Sequence, residues 1–87
     1  MAEGRDYQPV FSERVADFFL QQPKRRQSRI VNLAKQLAKQ PFVRSDYTLP
    51  DDEGRPLEHL LVEDYVFTYW IDHGAREIRI VDLDDAS

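Results

Sequence analysis

The side chains best suited to chemistry form a basic run, Lys24-Arg25-Arg26-Gln27-Ser28-Arg29, continued by Lys35 and Lys39. Arginine presents a planar fork of N–H donors that matches phosphate oxygens two at a time, so this run suits phosphate contact. The same charges equally suit a solvent-facing helix surface that docks on acidic groups of this chain or of a partner. Aromatic residues do not alternate with the basic ones, as they do in proteins that stack single-stranded bases. Other chemistries find less material. There is no cysteine, which excludes disulfides and thiolate metal sites. Ser12, Ser28, Ser45 and Ser87 lie at caps, a helix face or the tail, and no Gly-x-Ser-x-Gly elbow occurs. His59 and His73 have acidic neighbours, Glu58 and Asp72, but no second histidine at ligand spacing, so they read as a strand and a turn residue. Asp51-Asp52-Glu53 offers hard oxygen ligands without the alternation and distal Glu of a calcium loop, and reads as a solvated hairpin. Gly4, Gly54 and Gly74 fall at turns or termini, so no phosphate-cradling loop is expected. Neither a cofactor nor a metal is expected.

These residues need elements to position them. Tyr7 to Phe11 reads as a short strand, placed at an edge or bulge by Pro9, which cannot donate to a ladder. Ser12 is a plausible N-cap for a helix from Glu13 to Gln22, whose apolar stripe is Val15, Phe18 and Phe19. Pro23 ends it. A second helix from about Arg25 to Gln40 carries Ile30, Leu33, Ala34, Leu37 and Ala38 on one face, with Arg25, Arg29, Asn32, Gln36 and Lys39 opposite. So short a link makes the two an antiparallel hairpin, whose apolar face needs a sheet. Strands follow at Asp46–Leu49, Leu57–Val62, Tyr65–Ile71 and Arg76–Leu83. The breaker-rich Pro50–Pro56, Glu63-Asp64 and Asp72-His73-Gly74-Ala75 separate them, with Gly74 at a position suited to left-handed backbone. The continuous apolar character of Tyr65–Ile71 predicts a central strand, and Asp84 to Ser87 a frayed tail.

Eighty-seven residues hold one compact α+β domain over 1–87, and 41% hydrophobic residues supply its core. Residues 1–44 carry nine Lys/Arg and four Asp/Glu, whereas 45–87 carry three and twelve, so charges of +5 and −9 sum to the net −4. A basic half can meet nucleic acid or an acidic protein, but the whole chain lacks the broad positive field of a tight nucleic-acid binder. Met1 to Tyr7 has no apolar stretch of the signal-peptide kind, and no run approaches the roughly 20 residues that span a bilayer. A cytoplasmic protein without membrane contact is expected.

The order of strand, helical hairpin and antiparallel meander of three to four strands resembles the RelE/ParE toxin superfamily, which includes plasmid stabilisation proteins. Tyr7-Gln8-Pro9-Val10-Phe11-Ser12 is similar to the family's first strand and cap. Glu63 to Asp72 is similar to its turn-Tyr-strand run, and Arg76 to Leu83 to its closing strand. The resemblance implies a toxin-like component of a type II toxin–antitoxin module with a small antitoxin as partner. An amphipathic antitoxin helix would use the apolar rim around Phe18, Leu37 and Phe42 and contact Arg25, Arg29 and Lys39. Ribonuclease members hold basic residues on the sheet and a proton-transfer residue near the C-terminus. Here Val66 stands where the Arg after the Tyr is expected, and Asp82, Asp84 and Asp85 stand where basic residues are expected. The leading expectation is therefore a toxin-like protein that works by protein contact on a cellular target, without the RNA-cutting site. The alternatives are an mRNA endoribonuclease, ribosome-dependent or free, using Arg55, Arg79, Tyr65 and Tyr69, or a non-toxic interaction module.

Overall fold

The computed structural model describes residues 7–40, 46–50 and 52–86. Its elements in chain order are β1 (Gln8–Phe11), α1 (Glu13–Leu20), α2 (Lys24–Lys39), β2 (Tyr47–Pro50), β3 (Pro56–Val62), β4 (Tyr65–Asp72) and β5 (Glu77–Asp85). They agree with the expected α+β order, and the five strands form one sheet in the order β1-β5-β4-β3-β2. β4 is the central strand, as its apolar run requires. The meander β2 to β5 is antiparallel, whereas β1 pairs with β5 in parallel, so the sheet is mixed. Pro9 lies on this edge strand, where its missing N–H is tolerated.

Both helices pack on one face of the sheet, α1 against β5 and α2 against β1 and β5. Val15, Ile30, Leu33, Ala34, Leu37 and Ala38 from the helices meet Tyr65, Phe67, Tyr69, Ile78, Ile80 and Leu83 from β4 and β5. Local caps agree with this packing. Ser12 Oγ accepts the Val15 N–H at 3.2 Å. Beyond the end of α1, the Gln27 side-chain amide donates to the carbonyls of Phe19 and Gln22, both at 3.1 Å, so α2 satisfies acceptors that helix α1 leaves open. Pro23 stands at the N-cap of α2, where no N–H is needed.

β5 departs from simple alternation. Thr68 pairs with Asp82 while Tyr69 pairs with Ile80, which leaves Val81 as an extra residue. With period two, Ile78 and Ile80 would be followed into the core by Asp82 and Asp84. The bulge reverses the phase, so Leu83 enters the core, opposite Phe67, and the two carboxylates turn to the other face. Ser12 anchors the bulge through its N–H to the Ile80 carbonyl at 2.9 Å and its Oγ–H to the Val81 carbonyl at 3.3 Å. One residue thus caps α1 and ties it to the irregular point of β5.

Three expectations need correction. In the loop between β4 and β5 the left-handed residue is Arg76, at φ 57°, and not Gly74. The loop is instead shaped by the Asp72 carboxylate, which accepts the Ala75 N–H at 3.1 Å. Asp84 and Asp85 are strand residues and not a frayed tail, because β5 pairs with β4 to its end and the Ala86 N–H reaches the Asp64 carbonyl. Tyr65 and Tyr69 are 2% and 1% exposed on the helix-covered face and not beside Arg55 and Arg79; Tyr69 is enclosed in the core, whereas Tyr65 lines a cleft with Arg25, Arg26 and Arg29. Burial, with Glu58 and Asp46 adding to it, pushes the Tyr69 phenol up to about 12. The readings placed on Phe42 and Asp51 lie outside the described residues.

Deleting Val81 removes the extra residue, so Ile80, Asp82, Leu83 and Asp84 alternate without a bulge, with Leu83 still inward and both carboxylates still outward. That variant is expected to keep a cooperative melting transition by circular dichroism, whereas Leu83→Asp, which places a carboxylate in the core, is expected to lose it. Arg76→Gly is expected to stabilise by about 1 kcal/mol in urea titration, since glycine adopts positive φ without the Cβ penalty. Gly74→Ala should stay within about 0.5 kcal/mol. For Tyr69 the folded chain keeps its proton to about pH 12 while the unfolded chain releases it near 10. Stability is then unaffected by this group below pH 10 and declines as pH rises from 10 to 12, by about 2 kcal/mol. Tyr69→Phe should lack that part of the decline in alkaline denaturation curves.

Candidate functional site

Two surfaces carry the side chains of interest. The first is at the start of α2, where Arg25, Arg26 and Arg29 line a cleft with Asp64 and Tyr65. Placing Lys24, Arg25 and Arg26 in the first turn opposes the helix dipole, which favours acidic residues there. Carboxylates from the strand ends answer these charges. Arg26 donates to Asp85 at 2.9 Å, Arg29 pairs with Glu63, and Arg14 on α1 reaches Asp82 at 3.5 Å. Asp85, and to a lesser degree Tyr65, hold the Arg26 guanidinium even more firmly in its charged form than usual. Arg14, Arg26 and Arg29 are all exposed, so these screened pairs add little to stability. Their role is to orient the guanidinium groups.

Further along α2, Leu37 is 4% exposed and therefore lies in the wall of a cleft rather than on a projecting rim. Leu33, Gln36 and Gln40 of the helix side and Leu60 and Val62 of β3 complete that cleft. Phe18 is half-buried against the core, and Lys39 is exposed on the last turn of α2. The expected partner surface is thus dispersed, with Arg25 and Arg29 brought together and Phe18 packed into the core.

The second surface is the sheet face that no helix covers. Register and alternation place Tyr47 and Leu49 of β2, Leu57, His59 and Leu61 of β3, Val66, Thr68, Trp70 and Asp72 of β4, and Glu77, Arg79, Asp82 and Asp84 of β5 on it. Arg55 and Arg79, named together from sequence, do converge here. Their guanidinium carbons sit 4.7 and 5.7 Å from the Trp70 ring centre. Arg79 is also held by two carboxylates, Asp72 at 3.5 Å and Glu77 at 2.7 Å. Arg55 has Glu53 at 4.0 Å.

Sequence reasoning missed the cross-strand row Tyr47–His59–Thr68–Asp82. Tyr47 stacks on His59 with ring centres 4.4 Å apart and planes 8° from parallel, and His59 Nδ1 and Thr68 Oγ1 share a hydrogen bond of 3.2 Å. His59 Nε2 is buried without a hydrogen-bond partner. Only the register of three strand pairs assembles this row, so no local motif announces it. Among the described residues no group of three or more His, Asp or Glu is arranged to hold a metal ion. Nor is any described helix long and apolar enough to cross a membrane.

No protein-family model matches the chain, and no curated protein does so significantly. Solved structures do. A chain of the toxin–antitoxin complex RelBE2 from Mycobacterium tuberculosis superposes with a TM-score of 0.74 at 18% identity, covering 92% of this chain and 98% of that one. A chain of the archaeal RelE-RelB complex from Pyrococcus horikoshii OT3 gives 0.69 at 19% identity, with coverage of 94% and 97%. At this identity the likeness is one of architecture, and it extends over almost the full length of both chains. The strand, helix pair and antiparallel strands of this protein therefore make up a RelE-like fold, the one that its order of elements led us to expect.

Proposed function

We propose that this protein is the toxin-like component of a toxin–antitoxin pair, acting by protein contact and without the RNA-cutting chemistry of RelE-type ribonucleases. Support for the pair comes from the structural neighbours, both taken from toxin–antitoxin complexes. The observation that carries the mechanism is the composition of the open sheet face. Four carboxylates, Asp72, Glu77, Asp82 and Asp84, share it with Arg79. An RNA backbone carries a negative charge at every phosphate and is repelled by such a face. Arg79 is already neutralised by Asp72 and Glu77, so a phosphate would have to displace both. Tyr65 and Tyr69 lie on the helix side of the sheet, away from Arg55 and Arg79 on the open face, which supports a reading without that catalytic set.

An antitoxin segment has two grips on the helical side. The α2–β3 cleft takes an apolar side chain against Leu33, Leu37, Leu60 and Val62, and the Arg25–Arg29 end takes acidic groups. One observation favours the endoribonuclease reading instead. Arg55, Arg79 and Trp70 form a cationic and aromatic group at one end of the open face, in line with His59 and its unpartnered nitrogen.

Expression of the chain alone in bacteria is expected to arrest growth, and co-expression of the short protein encoded beside it to relieve the arrest. Primer extension on cellular mRNA during arrest should show no new 5′ ends. New ends that vanish in Arg79→Ala and His59→Ala would replace this mechanism with the endoribonuclease. Normal growth at verified soluble levels would remove the toxin role.

A further inference from the structure

The open face of the sheet is built in rows that run from apolar to acidic. One row is Leu61–Val66–Asp84 and the next is Tyr47–His59–Thr68–Asp82, each crossing successive strands through paired positions. The apolar side belongs to β2 and β3, where Leu61 is 54% exposed and Tyr47 and Leu49 are each 52% exposed. Leu57, paired with Leu49, extends it. The acidic side belongs to β5, where the bulge at Val81 turns Asp82 and Asp84 outward. Single exposed hydrophobic residues are ordinary, but several that adjoin on one uncovered sheet face mark a contact surface.

We infer that this face docks a cationic amphipathic helix of another protein, laid along the strands with its apolar side on Leu61, Tyr47 and Val66 and its lysines or arginines over Asp82 and Asp84. The dimensions fit. Neighbouring strands are about 4.8 Å apart, so β3 and β5 are separated by roughly 10 Å, the diameter of one helix with its side chains. The charge pattern selects the occupant. Asp84 is exposed and no ion pair engages it among the described residues, while Asp82 has the long contact to Arg14 at 3.5 Å and accepts the Leu83 N–H at 2.9 Å. A polyanion is repelled by these groups, and an acidic helix likewise. A second copy of this chain offers a basic surface on α2, but its outward residues Lys24, Arg25, Arg29, Asn32, Lys35, Gln36 and Lys39 are all polar. Leu20, 69% exposed at the end of α1, is the one large exposed hydrophobic residue of the helices among the described residues, so a copy of this chain offers a single apolar contact against the row of Leu61, Tyr47 and Leu49 and satisfies only part of the pattern. The inference rests on the face alone, and holds whether or not the protein arrests growth.

The test titrates the isotopically labelled full chain with two synthetic helical peptides of about 18 residues, roughly 27 Å long, with identical leucine faces and either lysine or glutamate on the other side. At physiological salt the lysine peptide is expected to shift the amide resonances of Leu61, Val66, Asp82 and Asp84 and to bind at least about tenfold more tightly than the glutamate peptide. Asp82→Asn with Asp84→Asn should weaken it about tenfold, and Leu61→Ser should weaken both peptides. The Leu61 variant alters an exposed side chain, so it reports on docking even if the double variant folds poorly. Equal binding of the two peptides, shifts confined to α1 and α2, or binding unchanged in both variants would overturn the proposal. So would concentration-dependent shifts of the same resonances without peptide, which assign the face to self-association, or displacement of the lysine peptide by single-stranded RNA at the same site.

Discussion

The pairing of β4 with β5 across the bulge at Val81 is the constraint on which the rest of the molecule depends. It decides at one residue which side chains of the last strand enter the core and which meet solvent. Before the bulge, Ile78 and Ile80 face the helices. After it, Leu83 takes that face and Asp82 and Asp84 leave it. A buried, unpaired carboxylate would shift its pKa or unfold the chain, so the phase reversal is a condition of folding. Ser12 takes the Ile80 and Val81 carbonyls while capping α1, so the helix start and the bulge are fixed together.

From that constraint follows the separation of charge. The helical side is basic and the open sheet face is acidic, and the contacts between the two sets lie at the strand ends and edges. Arg26–Asp85, Arg29–Glu63 and Arg14–Asp82 each join a helix to the sheet. As exposed pairs they add little stability, but they hold the arginines in place and leave Asp84 free of any ion pair among the described residues. The molecule therefore presents two surfaces of opposite sign on one small scaffold. A RelE-like architecture is compatible with several uses of such surfaces, because function resides in the side chains that the scaffold displays.

Much of the scaffold was legible in the sequence, and for identifiable reasons. Ile30, Leu33, Ala34, Leu37 and Ala38 repeat at helical spacing and are all buried. Tyr65 to Ile71 is apolar on both faces, which suits a strand with neighbours on each side, and β4 is that strand. Ser12 is followed by a stripe at i, i+3 and i+4 and does cap α1. The left-handed residue of the last loop escaped, because the glycine draws attention while Arg76, two residues on, is placed there by the register of β5.

Of the candidate site, the sequence by itself determined which chemistries are present: arginines on α2, Arg55 and Arg79 in the second half, and carboxylates at Asp82, Asp84 and Asp85. It could not say on which face they stand. In Tyr65-Val66-Phe67-Thr68-Tyr69-Trp70 both alternating sets are apolar or aromatic, so local pattern does not distinguish the tyrosines that are buried from the tryptophan that meets two arginines. Only the helices, by covering one side, make that choice. Only the register of four strands joins Tyr47, His59, Thr68 and Asp82, residues spread over thirty-six positions of chain, into one row. Composition is local and travels with the chain, whereas the face and neighbours of a strand residue are set by pairing partners far away in sequence.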